Sequence, residues 1–153
     1  MRIPVNSKAR PGATMVESVF VILIALTLMF GIFEYGRFVM TRQIMENAAR
    51  EGARYAAVHT NNAAVADIQN QVDLKLSAGK YQLTDYNKTT SIQVFAADAA
   101  GNPVSGVNWN DGAFGTQIGV SITGTYKPSL PNLLFWKTSF TLTTKSVMAS
   151  EAN

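Results

Sequence analysis

The chain contains no cysteine. Neither disulfides nor thiolate metal sites are available, so an exported domain of this composition must be held by its own core, by an anchor helix or by neighbouring subunits. It has a single histidine, His59, which excludes paired-histidine metal sites and forces any hydrolytic triad to be built around that one residue. No phosphate loop and no G-x-S-x-G elbow occur. Charge is also scarce over one stretch: residues 18–33 carry none. Proline is absent from residues 14–58, so nothing in that span forces a helix to end.

The residues that are present begin with a basic leader. Of 13 lysines and arginines, three (Arg2, Lys8 and Arg10) precede Gly12, leaving ten against ten acidic residues beyond it. The formal charge of +3 therefore belongs to the leader, and a nucleic-acid partner is not expected. Basic residues flanking an apolar segment hold that side in the cytoplasm, which places the rest of the chain across the membrane. At 153 residues the chain amounts to one small domain plus an anchor.

The 16 uncharged residues 18–33 span roughly 24 Å as helix, and residues 13–16 with Tyr35 extend this to the thickness of a bilayer core. No small-x-small signature comes after the run, so it reads as a retained anchor and not as a cleaved secretory signal. Glu17 lies at the edge of this span, five residues after Gly12. One reading is a carboxylate at headgroup level with no role. The other is a prepilin-type border: cleavage after Gly12 leaves a new amino group on Ala13, and Glu17 becomes mature residue five. An ammonium and a carboxylate from adjacent helices, paired in a low-dielectric bundle, would fix the axial register between subunits.

Good helix formers continue past residue 33, and residues 14–58 are expected to form one helix of about 68 Å, half in the bilayer and half projecting. A break at Gly36 is the alternative, though one glycine costs only about 1 kcal/mol. The spacings predict ion pairs Glu34–Arg37, Glu46–Arg50 and Glu51–Arg54. Ala49, Gly52, Ala53 and Ala56 form a small-residue stripe, with Ile44, Met45 and Ala48, along which another backbone can pack closely.

After a polar break at 59–62, residues 63–77 read as a second helix through Val65, Ile68, Val72 and Leu76, with Gly79 as its C-terminal cap. Alternation predicts strands at 91–96, 117–127 and 138–148. Residues 98–115 are a loop rich in Gly, Asn and Asp. Pro128 and Pro131 bound a connection whose Leu130, Leu133, Leu134, Phe135 and Trp136 call for burial. The fold class is α+β and pilin-like, a long N-terminal helix packed on a small antiparallel sheet. Its divisions are a leader at 1–12, the membrane-spanning and projecting helix at 13–58, and a periplasmic domain at 59–153.

No enzyme is expected. His59 at a helix end suits a structural role. Asp98, Asn102, Asn108, Asn110 and Asp111 lack the spacing of a calcium loop, and no metal or cofactor is expected. Trp109 and Trp136 read as core or partner-contact residues.

Gly12-Ala13-Thr14-Met15-Val16-Glu17 before an apolar run resembles the type IV prepilin processing motif. Residues 30–37 (Phe-Gly-Ile-Phe-Glu-Tyr-Gly-Arg) and 47–56 (Asn-Ala-Ala-Arg-Glu-Gly-Ala-Arg-Tyr-Ala) resemble the TadE-like family of the Tad (tight adherence, Flp) pilus system. The resemblance implies a minor pilin or pseudopilin in the bacterial inner membrane, supporting adherence and biofilm formation, with its C-terminal domain periplasmic or incorporated into a pilus. Its implied partners are a prepilin peptidase, the major Flp pilin and a second minor pilin. Major Flp pilins carry Glu-Tyr at mature positions five and six; here Ser18 follows Glu17, and the chain is far longer, so it is not expected to be the major subunit. Two alternatives remain: a permanently anchored periplasmic binding module, and a pseudopilin of a type II secretion system. Ala13, where that last group has Phe, tells against the second.

Overall fold

In a computed structural model, residues 11–111, 113–130 and 139–151 are described. The basic leader up to Arg10 and four of the apolar residues of the late connection (Leu133, Leu134, Phe135 and Trp136) lie outside them. Helix α1 (Pro11–Val58) is a single element of 48 residues, about 72 Å long. It passes through Gly36 without interruption, as the absence of proline and the run of helix formers dictate. Helix α2 (Val65–Leu76) follows, then a short 3-10 turn (Lys80–Gln82), strand β1 (Leu83–Thr84), a one-turn helix α3 (Lys88–Ser91), and strands β2 (Ile92–Ala97), β3 (Gln117–Tyr126) and β4 (Phe140–Ala149).

The other three strands are all antiparallel neighbours of β3. β2 and β1 lie along one side of it, pairing with residues 117–122 and 125–126, while β4 pairs along the whole of its other side, from Gln117↔Ala149 to Tyr126↔Phe140. The period-two pattern read in β3 sets its inner face: Ile118, Val120, Ile122 and Tyr126 are fully buried. β4 contributes Leu142 and Thr144 to the same side.

Onto this face packs the C-terminal half of α1. Met45, Ala48, Ala49, Ala53 and Ala56 are fully buried in one cluster with Ile68, Val72 and Leu76 of α2 and the inner face of β3. The second half of α1 is thus a wall of the domain as well as its stalk, and a boundary at residue 59 cuts through the core. Among the described residues the N-terminal half packs against nothing: none of its most apolar 18-residue window is buried, and its mean hydropathy is 2.5. By length and composition this helix can cross a membrane.

Several local expectations are corrected. Glu46 pairs with Arg42 at 3.0 Å and not with Arg50. Gly79 does not cap α2 in the left-handed region, since its φ is −103°. Its N–H still bonds the Leu76 carbonyl, and a Cβ there would sit 3.0 Å from the Ile44 side chain on α1, a tight contact to which that side chain would have to yield. Leu130 is 41 % exposed, so the burial expected for it does not occur. The short β1 and α3 were not legible: two residues are too few for alternation, and the α3 turn is set by Asn87, whose side chain accepts from the Thr89 N–H at 3.0 Å.

Candidate functional site

Gly12 and Glu17 lie in the first turns of α1 and are exposed. Glu17 shares a shallow groove of the helix surface with Thr14, Ser18, Val21 and Ile22, and forms no ion pair among the described residues. Ser18 turns its hydroxyl back to the Thr14 carbonyl at 2.8 Å, as does Thr27 to Leu23 at 2.8 Å, so both hydroxyls are satisfied within the helix. From Val19 to Phe33 the large apolar side chains, including Phe20, Ile22, Leu23, Ile24 and Ile32, stand exposed. A carboxylate with open acceptor sites thus sits at the head of an apolar rod that packs on none of the other described residues.

Where the apolar surface ends, the helix enters the domain through a second carboxylate. Glu34 is 6 % exposed. Its Oε1 accepts from the Tyr126 hydroxyl at 2.5 Å and from the Ser129 backbone N–H at 3.2 Å, and its Oε2 accepts from Arg37 at 3.4 Å. Arg37 also donates to the Ser129 hydroxyl. Burial, then the hydrogen bond to Glu34, pushes the Tyr126 phenol well above its ordinary range, so it stays a donor. Phe38, one turn on, stacks edge-on against Tyr126 and Phe140 at centroid distances of 5.5 and 6.1 Å. The Glu34–Arg37 pair was visible as an i,i+3 spacing. Its closure by Tyr126 and Ser129, 92 and 95 residues away, had no local signal.

The small-residue stripe is placed inside the domain. Ala49, Ala53 and Ala56 are fully buried, and a Cβ on Gly52 would collide with Val72 of α2 and crowd Val120 of β3. The close backbone approach that these residues permit is made by the chain's own α2 and sheet.

The remaining candidates settle into local roles. The His59 ring stacks on Tyr55 with centroids 4.2 Å apart, and its Nδ1 lies 3.0 Å from the Tyr55 carbonyl. Asp98 accepts from the N–H groups of Ala100 and Asn102 at 2.9 and 2.7 Å, closing a turn. Asp111 accepts from Asn108 at 2.8 Å. Trp109 is buried and lines an open groove with Val65, Phe95 and Val107. No group of three or more His, Asp or Glu able to hold a metal occurs among the described residues.

Residues 12–54 match the model of the TadE family, whose description is TadE-like protein. The match takes in Gly12, Ala13, Glu17, Glu34 and the helix as far as Arg54, so the resemblance to the TadE-like family read from the sequence is borne out over that segment. No curated protein and no solved structure matches the chain.

Proposed function

We propose that this chain is a minor pilin or pseudopilin of a Tad-type pilus, a structural subunit and not an enzyme. The observation that carries the reading is the division of α1: an exposed apolar half headed by Glu17, and a half built into the core of its own α+β domain. An apolar rod left exposed by the other described residues has two environments in which its surface is buried, the bilayer and a bundle of like helices. On this reading a prepilin peptidase cuts between Gly12 and Ala13 at the cytoplasmic face of the inner membrane. The freed amino group of Ala13 then meets Glu17 of an adjoining pilin-like subunit, and the domain projects on the periplasmic side. The partners are the major Flp pilin and a second minor pilin, and the outcome is pilus assembly, adherence and biofilm formation.

Mass spectrometry of the protein extracted from envelopes is expected to show an N-terminus at Ala13; an intact Met1 would overturn the processing step. Glu17→Ala is expected to leave membrane insertion intact while piliation is lost, and normal piliation would remove the role given to the carboxylate.

The open groove at Trp109, where Val65, Phe95 and Val107 stand beside Asn108 and Asn110, favours a second reading as an anchored binding module. A soluble fragment starting at Glu34 that restores adherence by itself would select it over assembly.

A further inference from the structure

The chain has one Asn-x-Ser/Thr triplet whose middle residue is not proline, Asn87-Lys88-Thr89. Such a triplet is the acceptor signal for N-linked glycosylation, and it serves only where an exported surface leaves it within reach. This one lies on the turn between β1 and α3, where Thr84, Asp85, Asn87, Thr89 and Thr90 are all exposed. Triplets of this kind are common by chance. What distinguishes Asn87 is the state of its side chain.

The Thr89 backbone N–H, which can only donate, meets Asn87 Oδ1 at 3.0 Å, and the Thr89 hydroxyl donates to the same oxygen at 2.6 Å. The amide is thereby turned with Nδ2 outward, and Nδ2 makes no hydrogen bond among the described residues. A carboxamide nitrogen is a weak nucleophile because its lone pair is shared with the carbonyl. Two donors on Oδ1 stabilise the charge that gathers on that oxygen as Nδ2 yields a proton, which gives the hydroxyl of the third residue a chemical role. Oδ1 keeps both donors once Nδ2 is substituted, so the cap of α3 survives the modification. The four-residue α3 is a single turn and opens at little cost when an enzyme draws the segment into its cleft. Asp85, two residues before the acceptor, forms no ion pair among the described residues. Its carboxylate is available to a basic side chain of a transferase, which would set the register of the segment.

We propose that Asn87 is an N-glycosylation site, with Asp85 and Thr89 as its recognition residues, that accepts an oligosaccharide from a lipid-linked pyrophosphate donor. This rests on the reading that the domain projects on the periplasmic side. Nucleotide sugars are confined to the cytoplasm, so an activated sugar on the far side has to be carried there on a lipid. Nδ2 bonds to the anomeric carbon of the sugar, and the bond from that carbon to the pyrophosphate oxygen breaks. The lipid pyrophosphate leaves with the electron pair, and the Nδ2 proton passes to a base of the transferase; nothing is oxidised or reduced.

The test is the intact mass of the full-length protein extracted from its native envelope, with fragmentation of the peptide that bears Asn87. The expected result is a fraction heavier by one oligosaccharide, its first sugar on Asn87. Asn87→Asp keeps the oxygen that caps α3, lacks the nucleophile and loses the added mass. Thr89→Val loses it as well, whereas Thr89→Ser keeps it, and Asp85→Asn lowers the occupancy severalfold. Because the chain has no cysteine, an Asn62→Cys variant, changed at an exposed position, reports topology through a membrane-impermeant maleimide. Unmodified mass in protein that the maleimide labels would overturn the glycosylation and leave the periplasmic reading standing. Protein neither labelled nor modified would overturn both. Sugar on another residue, sugar on unlabelled protein, or added mass retained by Asn87→Asp would each overturn the proposal.

Discussion

At the scale of single residues, two positions carry more than their size suggests. Gly52 is where α1 meets both α2 and β3, and a Cβ there collides with Val72. Gly52→Ala is expected to cost about 1–3 kcal/mol through overpacking, read as a lower melting temperature of the full chain in detergent. The second is Tyr126, whose hydroxyl closes on Glu34. Tyr126→Phe removes a donor from a buried carboxylate and is expected to cost about 1–3 kcal/mol. A loss near zero would show that Ser129 and Arg37 suffice. Neither position announced its partner in sequence. Gly52 read correctly as a place for close packing, but the sequence does not specify whose backbone comes close.

At the scale of elements, the unbroken α1 was legible because the composition of the whole span outweighs one glycine. A Cβ at Gly36 meets nothing within 4 Å. Gly36→Ala should therefore raise stability by about 0.5–1 kcal/mol, with an unchanged far-ultraviolet spectrum. The helix α2 is tied down by a different device. Lys80 and Tyr86 both donate to Asp73, at 3.2 and 2.9 Å. Burial acts to raise the Asp73 carboxyl, but these hydrogen bonds outweigh it and hold the group below its ordinary value. A depressed carboxyl contributes stability that is fully present above its unfolded value and lost as pH falls through the folded one. The melting temperature should accordingly drop below about pH 4, and Asp73→Asn should flatten that part of the profile. The alternating strands were legible to within a residue or two of their ends, since one face of each is buried. β1 and α3 escaped because their short spans depend on a side-chain cap and on pairing with a strand far along the chain.

For the whole molecule, the boundary between anchor and domain is the point at which sequence pattern and packing part company. Hydropathy separates residues 18–33 from the remainder of α1, and a polar break at 59–62 separates α1 from α2. The core respects the first division and ignores the second: Met45, Ala48, Ala49, Ala53 and Ala56 come from α1. A fragment beginning at Glu34 is expected to be folded and monodisperse, with dispersed amide resonances, while one beginning at Asn61 lacks that wall and aggregates. Folding of the shorter fragment would show that α2 and the sheet bury enough apolar surface alone. Of the proposed site, Gly12, Ala13 and Glu17 were singled out by local spacing alone. The set of contacts on Glu34 was not, because it joins a helix to Tyr126 and Ser129, and nothing short of the fold brings them together.

At the pole opposite the anchor, the last strand is fastened to the tip of α1. The Glu151 N–H bonds the Ala57 carbonyl at 2.9 Å, and the buried hydroxyls of Ser150 and Thr60 lie 3.1 Å apart. Ser150 is also bonded to Thr116 and Gly115 at 2.7 and 2.9 Å, so tension applied to a passenger fused after Asn153 would divide between the rod and the segment leading into β3. A handle attached there would pull on stalk and sheet together, and the first bonds to yield would be those that the Ser150–Glu151 peptide makes to Ala57 and Gly115.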